Sequence, residues 1–112
     1  MRIKMETFTH IDEKNFEGEI QNSSLPVVLE FGAVWCQPCK QLEPELLKLG
    51  QEWAGKVRLA KVDVDESVNL TMKFQVMGVP TVILFVNGQP AVRFSGFLPR
   101  EKILNKLAPH LS

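Results

Sequence analysis

The 112-residue chain has only two cysteines, no excess of either charge, no long apolar run, no internal repeat and no low-complexity tract. Each shortage excludes something. Two cysteines cannot build the multi-bridge framework of a small secreted domain. Lys+Arg and Asp+Glu both count 13, so the chain lacks the basic footprint that draws nucleic acid or an anionic membrane. The apolar runs are short, such as Val82 to Val86, and none approaches the ~20 residues of a membrane span. The start, Met1-Arg2-Ile3-Lys4-Met5-Glu6, is charged and has no apolar signal region, so a cytoplasmic location is expected. What remains is ordinary for a globular chain, with 45% apolar and 23% charged residues. The length suits one domain, 1–112, able to bury roughly two-thirds of its unfolded surface.

Strands alternate with helices along the chain. Lys4–Thr9 reads as a weak first strand. Asp12 is placed to cap a helix over 12–22, with Phe16 and Ile20 on its buried face. Val27–Phe31 is a buried strand. A helix follows Cys36 to about Trp53, because Leu42, Leu46, Leu49 and Trp53 recur at helical spacing, and Pro44 inside it predicts a kink. Val57–Val64 is the next strand, followed by a short helix over 66–74. Thr81–Val86 and a strand over 91–94 flank Asn87-Gly88, a hairpin signal. Pro90 marks the returning strand as an edge strand. Pro99 opens a last helix buried through Ile103, Leu104 and Leu107. The order β-α-β-α-β-α-β-β-α predicts an α/β fold: a parallel sheet covered on both faces, made mixed by the terminal antiparallel hairpin. Ligands of such sheets sit beyond the carboxyl ends of the strands, where Cys36 falls.

Cys36 and Cys39 stand three positions apart. On a helical turn such residues have Cβ atoms about 5–6 Å apart, close enough for a disulfide. Unpaired N–H groups and the positive dipole end of the helix favour a thiolate there. Cys36, the first and more exposed, is the expected attacking thiol, and Cys39, one turn inward, the resolving one. Pro38 presets the helical φ, and Trp35 adds apolar surface. Three other accounts are weaker. Inert buried cysteines fit poorly at a strand-to-helix junction. Zinc within one chain finds only His10 and His110, at unsuitable spacing, so no metal is expected; that count leaves a site shared between two chains open. A static disulfide would close too short a loop to contribute much.

Trp35-Cys36-Gln37-Pro38-Cys39-Lys40 resembles the active-site motif Trp-Cys-Gly-Pro-Cys-Lys of the thioredoxin family. Val79-Pro80-Thr81 resembles that family's cis-proline loop, and Asn87-Gly88 and Gly96 match its hairpin turn and late groove glycine. The resemblance runs from about Phe8 to Leu111 and implies the thioredoxin fold. It implies Cys36 as nucleophile, Cys39 as resolving thiol, a cis Pro80, and a substrate groove lined by Trp35, Gly78, Val79 and Gly96, with Gln37 at the surface that partners touch. There are three departures. Gln37 replaces the glycine between the cysteines, Gly32 stands where many members carry a second tryptophan, and Glu30 replaces a buried aspartate.

Glu30 and Lys61 interrupt neighbouring apolar strands, which suggests a pair. One reading is an ion pair exposed at a sheet end. The other follows the family: a buried carboxylate that takes the Cys39 proton. Phe97 either staples the last helix or enlarges an apolar patch with Trp35, Val64 and Val79. Met72 and Met77 are expected in or near the core, His10 and His110 at the surface, and Asp63, Asp65 and Glu66 at a solvated strand end.

The resemblance implies an enzyme that reduces disulfides in other proteins by dithiol–disulfide exchange, without a bound cofactor. Its partners would be disulfide-containing proteins and a flavin- or ferredoxin-dependent thioredoxin reductase, and it would act as a monomer. The alternatives are a specialised reductase for one partner and a redox-idle binding subunit on the same fold.

Overall fold

The computed structural model describes residues 7–111. Five strands form one sheet: β1 Phe8–Ile11, β2 Val27–Gly32, β3 Arg58–Asp63, β4 Thr81–Val86 and β5 Gln89–Ser95, in spatial order β1-β3-β2-β4-β5. The helices are α1 Gln37–Glu52, α2 Val68–Lys73 and α3 Arg100–Leu107. A π-helical turn at Glu17–Gln21 precedes β2, and a 3-10 turn at Ala108–His110 ends the described chain.

Strand alternation divides the interior into two cores. Val27, Leu29 and Phe31 of β2 point to one face, against Phe16, Ile20, Leu70 and Val76. Val28 points to the other, against Leu42, Leu46 and Leu49 of α1 and Ile103 and Leu107 of α3. Glu30 and Gly32 share the parity of Val28 and so face α1. All six residues of β2 are buried, which places it at the centre of the molecule.

β1, β3 and β2 are parallel, with Glu30 opposite Lys61 and Gly32 opposite Asp63. β4 runs antiparallel to β2, and β5 antiparallel to β4. The expected fully parallel arrangement before the hairpin is therefore corrected at β4. Its cause is the shortness of α2. Six helical residues rise only about 9 Å, whereas returning along a six-residue strand takes about 20 Å. The chain re-enters the sheet at the end it left, with Thr81 beside Phe31.

Other boundaries differ locally. β1 runs to the buried Ile11; Lys4–Glu6 of the expected strand lie outside the described residues. The expected helix over 12–22 is a turn that widens into the π-helical segment. Asp12 does cap it, accepting from the Lys14 and Asn15 amides, and Phe16 and Ile20 are buried as expected. Pro99 stands one residue before α3 rather than at its first position. α1 continues across Pro44, which is exposed. Asn87 and Gly88 have φ of 53° and 77°, the mirror-image turn that suits a two-residue hairpin. A side chain at Gly88 would also meet the Gln21 carbonyl oxygen at 2.5 Å.

Candidate active site

β2 delivers the chain to the carboxyl end of the sheet, and α1 begins immediately beyond it. Cys36 is the N-cap of α1, with φ −87° and ψ 108°. Its Sγ accepts the Cys39 amide N–H at 3.2 Å, the bond that a serine or aspartate cap would normally accept. Cys36 and Cys39 are joined in a disulfide with a Cα separation of 5.3 Å. Pro38 lies in the first turn, where no amide donor is needed.

The expected exposure of Cys36 is corrected: it is 2% exposed and Cys39 1%. The N-cap backbone turns the Cys36 side chain back over the first helical turn instead of out to solvent. Exposure therefore does not separate the two sulfurs. Electrostatics does, because the Cys36 sulfur is the one that receives a helix N-terminal N–H.

Trp35 is exposed, and its indole N–H donates to Asp65 Oδ2 at 2.8 Å. That bond fixes one wall of a shallow groove of about 190 Å³, shared with Val64, Val76, Met77, Gly78 and Val79. The Val79–Pro80 peptide is cis. Thr81 Oγ1 donates to the Gly78 carbonyl at 2.7 Å and anchors the loop. Gly96, at φ +81°, donates its N–H to the Pro80 carbonyl at 2.8 Å, a backbone conformation that favours glycine. Gln37 is exposed in the first turn of α1.

Met77 was expected in or near the core but is 95% exposed beside this groove, and Met72 is 70% exposed. The loop before the cis peptide carries Met77 out of the helical register of α2. Phe97 is also substantially exposed; its neighbour Leu98 packs on the core instead.

Behind the disulfide, Glu30 is fully buried, and neither carboxyl oxygen has a hydrogen-bond partner among the described residues. Burial first, and then the nearby Glu43 carboxylate, push its pKa from 4.5 to about 8, with Lys61 opposing. Gly32 makes room for it. A Cβ at position 32 would lie 3.3 Å from Glu30 Oε2 and 3.2 Å from Cys39 Sγ, so the carboxyl and the resolving sulfur converge on the space this glycine leaves open.

The exposed ion pair is corrected, whereas the burial and raised pKa of the other reading hold. Glu30 is not exposed, and the Lys61 ammonium donates to Glu43 Oε2 at 3.2 Å instead. Lys61 and Glu43 are both partly exposed, so their pairing keeps water on both ions. Following Glu30 inward would strip that hydration. Glu43 was not singled out from the sequence. The available signal was its position four residues after Cys39, which puts both on one helical face. Among the described residues, no three His, Cys, Asp or Glu side chains gather where a metal ion could be held.

A mixed sheet with a Cys-x-x-Cys disulfide at a helix start and an adjoining apolar groove defines a dithiol–disulfide exchange protein. The Thioredoxin family model matches residues 7–109. The chain is 37% identical over 107 residues to a thioredoxin of Haemophilus influenzae, covering 96% of this chain and 100% of that protein. It is 37% identical over 101 residues to a thioredoxin of Staphylococcus saprophyticus, covering 90% and 95%. A mitochondrial thioredoxin of Mus musculus is 38% identical over 102 residues, covering 91% of this chain and 61% of that one. The chain belongs to the thioredoxin family. It is a thiol–disulfide oxidoreductase that reduces protein disulfides, and membership implies disulfide-bearing protein substrates and a reductase that restores the dithiol. Among the described residues, no helix is long and apolar enough to cross a membrane.

Proposed function

We propose that the chain is a single-domain, monomeric, cytoplasmic general reductant of protein disulfides, working in electron transport between a thioredoxin reductase, flavin- or ferredoxin-dependent, and its substrates. The observation that carries this reading is the Cys36 sulfur seated on the N-terminal N–H of α1, beside the Trp35–Val79 groove. In the reduced protein the Cys36 thiolate attacks one sulfur of a substrate disulfide, forming a mixed disulfide and expelling the substrate's other thiolate. Cys39 then passes its proton to Glu30, and its thiolate attacks Cys36 Sγ. The second substrate thiolate leaves, two electrons have passed to the substrate, and Cys36–Cys39 is oxidised. The groove lined by Trp35, Gly78 and Val79, together with the adjoining Pro80, Gly96 and Gln37, holds the substrate segment during both steps.

The convergence of Glu30 Oε2 and Cys39 Sγ at Gly32 supports Glu30 as the proton acceptor. Burial that raises the Glu30 pKa to about 8 brings it toward the range of thiols, which suits it to accept a thiol proton. Insulin reduction driven by a small dithiol, and then by a thioredoxin reductase, tests the function. Turnover with both supports a general reductant. Turnover with the dithiol alone supports a specialised reductase, and inactivity with both leaves a redox-idle binding subunit.

A further inference from the structure

One face of the sheet gathers an unusual set of charges under α1. β2 contributes the buried Glu30 and the bare Gly32; β3 contributes Lys61 and Asp63 in register with them. α1 contributes Lys40 and Glu43 from above. Gly32, Lys40, Glu43, Lys61 and Asp63 line one open cavity of about 320 Å³. From β4 the neighbour of Glu30 is the apolar Val82. Glu30 therefore titrates in a setting dominated by one cation and one anion that are bound to each other, Lys61 and Glu43.

We propose that Glu43 is a positioning residue for the release step: by holding the Lys61 ammonium at the cavity and standing beside Glu30, it sets the pH at which Glu30 ionises and hence the pH range in which Cys39 is resolved. The inference rests on the reading of Glu30 as acceptor of the Cys39 proton. Without Glu43, the Lys61 ammonium loses its partner and Glu30 is the carboxylate facing it across the strand pair. Glu30 would then stay ionised at lower pH and be too weak a base for a thiol. With Glu43 in place, the like charge is added and the cation is held aside. Both effects act in the same direction and keep Glu30 a strong base.

The test pairs two readouts in full-length protein. Carbon-13 NMR of the oxidised form follows the Glu30 carboxyl directly. Rapid-quench mass spectrometry follows release of the mixed disulfide with a model peptide disulfide across pH. In Glu43→Gln the Glu30 midpoint is expected to fall by on the order of 1 pH unit, and the release profile to fall with it. Glu43→Asp should retain most of the wild-type profile, and Lys61→Gln should move both midpoints upward. Formation of the mixed disulfide should be unchanged in all three. An unmoved Glu30 midpoint in Glu43→Gln overturns the inference while leaving Glu30 as the base. A Glu30 midpoint that moves without the release profile overturns the inference together with the role of Glu30.

Discussion

Glu30 and Lys61 stand opposite each other in neighbouring parallel strands, yet the Lys61 ammonium bonds to Glu43 at 3.2 Å and Glu30 is left fully buried, with no hydrogen-bond partner among the described residues. A buried carboxyl in that position is costly to ionise and correspondingly useful as a base. On the proposed mechanism, the site trades stability for a proton acceptor.

That trade has a defined pH dependence. Glu30 binds its proton more tightly in the folded protein, near pKa 8, than in the unfolded chain, near 4.5. The unfolded state therefore releases this proton first as pH rises. Stability is expected to fall from about pH 4.5 to about pH 8 and to level off above it. Glu30→Gln removes the ionisation, so it should flatten this slope and stabilise the protein by roughly 1–4 kcal/mol at pH 8–9. Denaturant melts across pH read both. A variant less stable than wild type at pH 9 would show that Glu30 has a compensating partner.

The same substitution separates the two chemical steps. Glu30→Gln should slow release of the mixed disulfide by about 10²–10⁴-fold, the range of general acid–base catalysis, with little effect on its formation. Stopped-flow fluorescence of Trp35 times the steps. Equal slowing of both would remove Glu30 from the proton transfer.

Cys36→Ser is expected to abolish turnover, whereas Cys39→Ser should still attack and then stall as a mixed disulfide through Cys36. The basis is the N-cap position of Cys36, whose sulfur accepts the helix N–H. Mass spectrometry of each variant with a disulfide substrate identifies the adduct; an adduct trapped through Cys39 in Cys36→Ser, with none in Cys39→Ser, reverses the assignment.

Gly32→Ala places a Cβ within 3.2 Å of Cys39 Sγ and 3.3 Å of Glu30 Oε2, tighter than ordinary contact. The flexible Glu30 side chain is the partner able to yield. Stability should change by only about 1 kcal/mol, since crowding is offset by the gain of replacing a strand glycine. Release of the mixed disulfide should slow as the carboxyl is pushed from the sulfur. Unchanged release kinetics would show that the contact at Gly32 plays no part.

Met77 lines the groove and is almost wholly exposed, so it can bury apolar surface only when a substrate docks. Met77→Ala should raise KM for insulin by about 3–10-fold and leave kcat unchanged, as removal of uniform binding does. A fall in kcat at constant KM would place Met77 in the chemistry instead.

The local chemistry of this protein was written in its sequence. Cys36 and Cys39 at a strand-to-helix junction, Pro38 in the first turn, Asn87-Gly88 between two strands and the helical recurrence of Leu42, Leu46 and Leu49 are all short-range patterns. Backbone propensity, capping and periodicity act over a few residues, so these could be read without a structure. They determined the order of elements, the redox pair and the family resemblance that the comparisons then showed. Three features were not legible in these short-range patterns. The direction of β4 followed from how far the short α2 could carry the chain. The inward turn of Cys36 followed from its N-cap backbone. The choice of Lys61 between Glu30 and Glu43 was decided by depth. Register put Lys61 beside Glu30, but an ammonium keeps its hydration only at the edge, where Glu43 of α1 meets it. Pair energies of this kind depend on burial, and burial exists only once β2, β3 and α1 are packed together.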